Sequence, residues 1–265
     1  MQRQARQDLI IEEILKSISK SRNLEYMILD KPDIKERNVP ACDMIVQIGS
    51  EKWAIEHTSI DSIPKQRRDD NRVLKLLFPL RDMLRNKLPV PGHYDLNVDM
   101  NVIPTGINWD ELRESIALWC INVAPLLKLG SPKTTPSHYR KEKPLGVPFE
   151  LALYRWPGRD GVFNIGRFAP TDLEEQRALV ILETLNSRGV KVVQYKEEGF
   201  KTLLILEAND IALANQALIS EAFEKVASQL SKDELPDEVY LIETDCQEHF
   251  IWCLKSGDQI IPDQI

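Results

Sequence analysis

The sequence has no apolar run long enough to span a bilayer, which argues against a transmembrane helix. Its opening stretch, MQRQARQDLI, lacks the apolar core of a signal peptide, so a cytoplasmic location with no membrane partner is expected. The four cysteines, Cys42, Cys120, Cys246 and Cys253, show no CxxC spacing, and reduced thiols are the simplest account. Cys246, His249 and Cys253 have no recognisable fourth partner to complete a zinc set. No Gly-rich phosphate loop and no GxSxG elbow occurs, so NTPase, Rossmann dehydrogenase and serine-hydrolase chemistry lack support. No internal repeat is visible.

What is present is ordinary in bulk and uneven in detail. The 265 residues can bury one large core or two smaller ones, and 43% hydrophobic with 28% charged residues is typical of a globular chain. The 41 acidic residues exceed the 34 basic ones, giving a net charge of -7, which counts against a generic nucleic-acid binder. Yet lysine and arginine cluster early, at Lys65, Arg67, Arg68 and at Arg81, Arg85, Lys87, whereas the chain is strongly acidic from Thr171 onward.

The most informative stretch is PACDMIVQIGSEKWAIEHTSID, Pro40 to Asp61. Apolar and polar residues alternate from Asp43 to Ile48 and again from Trp53 to Thr58, with Gly49, Ser50 and Glu51 as a hairpin connection. Pairing Ile48 with Trp53 places Asp43 opposite Thr58 and gathers Met44, Val46, Ile48, Trp53 and Ile55 on one face. Asp43, Glu56 and Thr58 share the other face, and a one-residue slip would mix charge into the apolar side. His57 is the exception on the apolar face, read as a satisfied core or inter-element histidine. Two carboxylates on neighbouring strands suit a hard divalent cation, Mg²⁺ or Mn²⁺, which keeps waters and takes a substrate phosphate. Such an ion activates water and offsets charge on the phosphate being cut.

A helix bearing a glutamate, then Asp, then about a dozen residues, then (D/E)-x-K resembles the PD-(D/E)xK, or restriction-endonuclease-like, nuclease superfamily. The matching residues are Glu12 or Glu13 on the first helix, Asp43 in PACD, and Glu56 with Thr58 in EHT, within roughly the first hundred residues. The resemblance implies a metal-dependent nuclease acting on DNA or RNA, with Asp43 and Glu56 as metal ligands and Glu12 or Glu13 assisting through water. Thr58 stands where the family usually has lysine and carries no positive charge, so a cation must come from elsewhere. Lys65, Arg67 and Arg68 follow closely, and with Arg72 they are the candidate phosphate contacts. The alternative is a catalytically inactive nuclease-fold module that binds nucleic acid or a protein partner, the hairpin acids then being ordinary surface groups.

Along the rest of the chain, residues 6 to 20 read as an amphipathic helix and Leu24 to Leu29 as a first strand. A helical segment runs to Leu88, kinked or broken at Pro79. YDLNVDMNVIP is a strand with one polar face, and Asn108 caps the helix after it. The Pro-rich basic stretch from Gly130 to Pro148 reads as a linker or a mobile loop over a polyanion. FELALYRW and GVFNIGRF look like a strand pair joined through PGRDG. Thr171 and Glu174 form a capping box for a helix to about Arg188, with Gly189 as a fitting C′ residue beyond it. VKVVQY and TLLILE suggest a hairpin, and TLLILE pairs in parallel with EVYLIE through a helix over about 211 to 230. The tryptophans, Trp156 among them, read as core. The expected architecture is α/β: a mixed central sheet flanked by helices, with residues 1–130 as a restriction-endonuclease-like core. Residues 131–148 form a basic Pro-rich loop or linker, and 149–265 extend the same sheet or form a small second domain.

Overall fold

Ile10, Ile11, Ile14, Leu15 and Ile18 recur at helical spacing and are all buried, which is why the chain opens as α1 (Gln2–Arg22). The structure is a computed structural model describing residues 2–35, 41–130, 138–209, 215–244 and 248–264. Cys246 and the Pro-rich run 131–137 lie outside the described residues, so expectations placed on them are not addressed.

In chain order, β1 (Tyr26–Asp30), α2 (Pro32–Lys35), β2 (Met44–Ile48) and β3 (Glu51–Ser59) follow α1. Next come α3 (Gln66–Leu76), α4 (Phe78–Leu84), β4 (His93–Asp99), α5 (Trp109–Val123), β5 (Tyr139–Glu142), β6 (Leu151–Trp156) and β7 (Val162–Phe168). The chain ends with α6 (Leu173–Thr184), α7 (Val190–Val193), β8 (Lys201–Ala208), α8 (Gln216–Ala227), β9 (Glu238–Glu243), β10 (Phe250–Ser256) and β11 (Gln259–Gln264). It is an α/β protein with two mixed sheets, of seven and four strands. Among the described residues no helix is long and apolar enough to cross a membrane.

The chain divides into two compact units, residues 1–64 with 172–265, and residues 65–171. The boundaries therefore fall beside Pro64 and Thr171, not in the expected 131–148 linker. The first unit holds the sheet β1-β2-β3-β8-β9-β10-β11. Its strands β3, β8 and β9 run parallel, as TLLILE and EVYLIE lead one to expect, and the other neighbours are antiparallel. One face packs Met44, Val46, Trp53, Ile55, Leu203 and Ile205 under α1. The other packs Leu204, Leu206 and Leu241 under α8.

The β2–β3 hairpin is tighter by two residues than expected. Val46 pairs with Trp53 and Ile48 with Glu51, leaving Gly49 and Ser50 as the turn, with Gly49 in the left-handed region at φ 59°. An even shift preserves the faces, so the apolar set is as read, but Asp43 now lies across from Glu56 instead of Thr58.

Two further expectations fail. VKVVQY is helical: α6 runs through a π turn at Leu185–Gly189 into α7 and then a 3₁₀ turn ending at Gly199, φ 80°. Val192 drops into a small cluster with Cys42 and Ala54, and that tertiary contact overrides the strand preference of a valine-rich run. Gly189 accordingly sits inside the helical segment rather than beyond its end, and Asp172, not Thr171, is the N-cap of α6, without a side-chain cap.

In the second unit, β6 and β7 are not a hairpin. The order is β5-β6-β4-β7, so β4 lies between them, and the 157–161 connection spans the width of one strand. Pro79 sits in the first turn of α4, where its missing N–H costs little, so the helical segment to Leu84 is two helices.

Candidate functional site

Asp43 precedes β2 by one residue, and its backbone N–H donates to the Ile55 carbonyl at 3.0 Å, which fixes it beside β3. Its carboxylate accepts the His57 backbone N–H at 2.7 Å. Gln7 of α1 supplies a further side-chain hydrogen bond. Burial raises the Asp43 pKa, opposed by these bonds and by the charge of Lys191.

Glu56 is fully buried on the same face. Its Oε1 lies 2.9 Å from Lys191 Nζ and 3.4 Å from Arg188 Nη1, while Oε2 has no hydrogen-bond partner among the described residues. Burial and the neighbouring Asp43 charge push its pKa up to about 7, against the pull of Lys191 and Arg188. Both cations come from one continuous helical segment, of which only the part through Arg188 reads as helical in the sequence. Arg188 lies in the π turn and Lys191 three residues on, in α7, so both reach one carboxylate. Lys191 is mostly buried and Arg188 is 42% exposed, so the site meets solvent on the arginine side.

Behind the pair, Cys42 shares a side-chain hydrogen bond with Tyr195. Burial pushes the thiol up to about 11, so Cys42 is not a nucleophile near neutral pH. On the α1 face, His57 Nε2 meets Glu207 Oε2 at 3.1 Å, and Glu207 also accepts from Arg6, Ser59 and Thr244. The histidine is thus a satisfied inter-element group.

The donor set suits a hard cation in part. Asp43 and Glu56 are near enough for their charges to interact, one oxygen of Glu56 is orphaned, and an orphaned buried oxygen calls for an ion or a water. Among the described residues no third Asp, Glu, His or Cys completes a protein-only site, so waters and a phosphate would fill the remaining positions. Size is a poor guide here: a cavity of about 740 Å³ in the second unit, lined by Asn108, Glu111, Ser115 and Lys143, contains neither carboxylate.

Of the sequence-derived candidates, the structure brings Asp43 and Glu56 together. Thr58 lies further along β3, its hydroxyl 3.5 Å from the Ser59 carbonyl. Glu13 pairs with His249 at 2.8 Å, and it is Gln7, not Glu12 or Glu13, that supplies the α1 hydrogen bond to Asp43. Lys65, Arg67, Arg68 and Arg72 belong to the second unit; Arg72 donates to the Ile103 carbonyl at 2.7 Å, which occupies it structurally. The cation at Glu56 is Lys191, which sequence reading missed because its segment was read as a strand. No family model matches the chain, and neither curated proteins nor solved structures give a significant match.

Proposed function

We propose that the chain is a metal-dependent nuclease of the PD-(D/E)xK kind, hydrolysing phosphodiester bonds in DNA or RNA. Asp43 and Glu56 hold Mg²⁺ or Mn²⁺, and Lys191 supplies the positive charge that Thr58 lacks. The observation that carries this reading is the buried Glu56 carboxylate, with one oxygen on Lys191, the other unpartnered, and the Asp43 charge close enough to raise its pKa. The order of α1, three antiparallel strands, a helical segment and a parallel strand supports a restriction-endonuclease-like assignment for the first unit.

When bound, the ion supplies an acidified water and charge neutralisation at the phosphate. The chain's own groups do the rest. The His57 N–H and Gln7 hold Asp43 in one orientation, Lys191 keeps a positive charge beside the reacting phosphate, and the half-exposed Arg188 contacts a non-bridging oxygen. Lys65, Arg67 and Arg68, exposed on and just before α3, are candidate phosphate contacts of the second unit taken by itself.

The test is Mg²⁺-dependent cutting of labelled single- and double-stranded DNA and RNA. Asp43→Ala and Glu56→Gln are expected to reduce it to background, and Lys191→Met to lower it by roughly 10²- to 10³-fold. Unchanged cutting in the first two variants ends the site assignment. A second reading, a noncatalytic module on the same scaffold, is favoured by the complete burial of Glu56 beneath two cations. Mn²⁺ titration followed by electron paramagnetic resonance separates the two: a site lost in Asp43→Ala supports the enzyme, and no site in the parent supports the module.

A further inference from the structure

The four-stranded sheet of the second unit, in the order β5-β6-β4-β7, has β5 and β7 as its edges. An open edge is a row of backbone N–H and C=O groups without partners, and proteins blunt such rows with short strands, charges or bulges. β5 is blunted: it has four residues, and Arg140, Lys141 and Glu142 are three of them. The edge strand β1 of the other sheet is interrupted by a bulge between Ile28 and Asp30. β7 has neither device. Its seven residues pair with β4 in one unbroken register, and Arg167 is the single charge among them. Among the described residues nothing hydrogen-bonds to its outer side.

The two faces of the sheet are already taken. Phe163 joins Tyr94, Leu96 and Val98 in the apolar cluster that α3, α4 and α5 build. On the opposite face Tyr139, Tyr154 and Trp156 stack on one another, and the buried His138 packs against all three. Trp156 therefore lies among rings outside the apolar core, contrary to the sequence reading. Beside the outer edge, in contrast, is a cavity of about 300 Å³. Three consecutive residues of β7, Ile165, Gly166 and Arg167, line it, although successive side chains point to opposite faces. A cavity that meets all three reaches the strand from its edge. Its other wall comes from Leu74 of α3 and Phe78 of α4, which are 52% and 37% exposed. At the far end Arg167 Nη1 lies 3.2 Å from Asp69 Oδ2 and 2.6 Å from Asp70 Oδ1. Asp69 is 2% exposed, and its Oδ1 has no hydrogen-bond partner among the described residues. Two carboxylates thus share one guanidinium, and the outer one, Asp70, lines the cavity.

Each feature fits one part of a single occupant. Unpaired strand groups match another extended backbone, and the wall of Leu74 and Phe78 matches a bulky apolar side chain. The surplus carboxylate matches a cation and repels a phosphate chain or a peptide's terminal carboxylate. Ile165 and Arg167 share a face about 7 Å apart, so residues i and i+2 of an added strand meet the apolar wall and the carboxylate in turn. We infer that an extended internal segment of a partner protein adds to β7 as a further strand of this sheet. It seats a leucine- or phenylalanine-sized side chain against Leu74 and Phe78, and a lysine or arginine two positions away at Asp70. The interaction needs neither the metal site nor cutting, which belong to the other unit.

In the experiment, random nonapeptides displayed on phage are selected against the full chain, and the enriched sequences are synthesised with fluorescein for anisotropy. They should share an apolar residue and a lysine or arginine at i and i+2. Leu74→Asp and Phe78→Asp, at exposed positions that the fold tolerates, should each weaken binding at least about tenfold. Asp70→Asn should weaken it about threefold and remove the preference for a basic residue. N-methylation of alternate backbone nitrogens in the peptide keeps every side chain. Of the two complementary patterns, one should cost at least about tenfold and the other less than about threefold. Amide hydrogen exchange in the parent complex should slow within Val162–Phe168. No shared motif, full binding by both N-methylated patterns, indifference to Leu74→Asp, or protection away from β7 would each overturn the inference. So would displacement of the peptides by an oligonucleotide. A concentration-dependent dimer in ultracentrifugation that Leu74→Asp abolishes would also overturn it, making a second copy of the chain the occupant.

Discussion

Glu56 on β3 and Glu207 on β8 are two buried glutamates on neighbouring strands, and they have opposite characters. Glu207 is surrounded by donors: although burial pushes its pKa up, the bonds and charges of His57 and Arg6 outweigh it and bring the group down to about 2. Glu56 has two cations on one oxygen and nothing on the other, and burial with the Asp43 charge lifts it to about 7. Complete satisfaction suits a carboxylate that holds structure together, whereas the orphaned oxygen of Glu56 leaves a lone pair open to an ion or a water.

The largest effect that would break this contrast is on stability. Glu207→Ala strands the buried His57 and should lower the unfolding free energy of the first unit by roughly 3 kcal/mol, read from denaturant midpoints, with Glu56→Gln losing far less. Comparable losses in both variants would erase the distinction.

The next effect is a pH dependence of opposite sign. The Glu56 pKa in the folded chain lies above the usual 4.5, so its stabilising contribution is full below about pH 4.5 and is lost as the pH rises through about 7. Metal-free parent protein should therefore fall behind Glu56→Gln between pH 5 and 8, by about 3 kcal/mol at the outside. Glu207, with its value lowered from 4.5 to about 2, contributes fully above pH 4.5 and loses that contribution as the pH falls toward 2. Denaturant midpoints across pH for the parent and both Gln variants measure the two slopes; parallel curves would refute the assignment.

The smallest effect sharpens the division of labour between the cations. Arg188 is longer-range and more exposed than Lys191, so Arg188→Ala should cost roughly tenfold in cutting, mostly through substrate affinity. Steady-state kinetics would show it as a raised KM with a nearly unchanged kcat.

Periodicity made much of this legible. The α1 stripe, the shared face of Asp43 and Glu56, and the parallel β8–β9 pair all follow from apolar spacing, because burial enforces those patterns. The hairpin register was readable only to its parity, since a two-residue change leaves every side chain on its own face. The strand reading of VKVVQY failed because local preference for valine says nothing of Val192 packing on Cys42 and Ala54. Lys191 was lost with that segment, and no spacing rule recovers it: its neighbourhood to Glu56 is a tertiary fact. The place of β4 between β6 and β7 was equally hidden, since strand order in a sheet has no periodic signature.

The interruption of the first unit after Pro64 has a consequence for synthesis on the ribosome. The aspartate and glutamate emerge early, but the lysine that balances them and β8, the strand that lies alongside β3, arrive only after all of residues 65–171 have been made. A nascent chain that stops short of Lys191 holds the acids without their cation, so the balanced charge around Glu56 forms only late in synthesis.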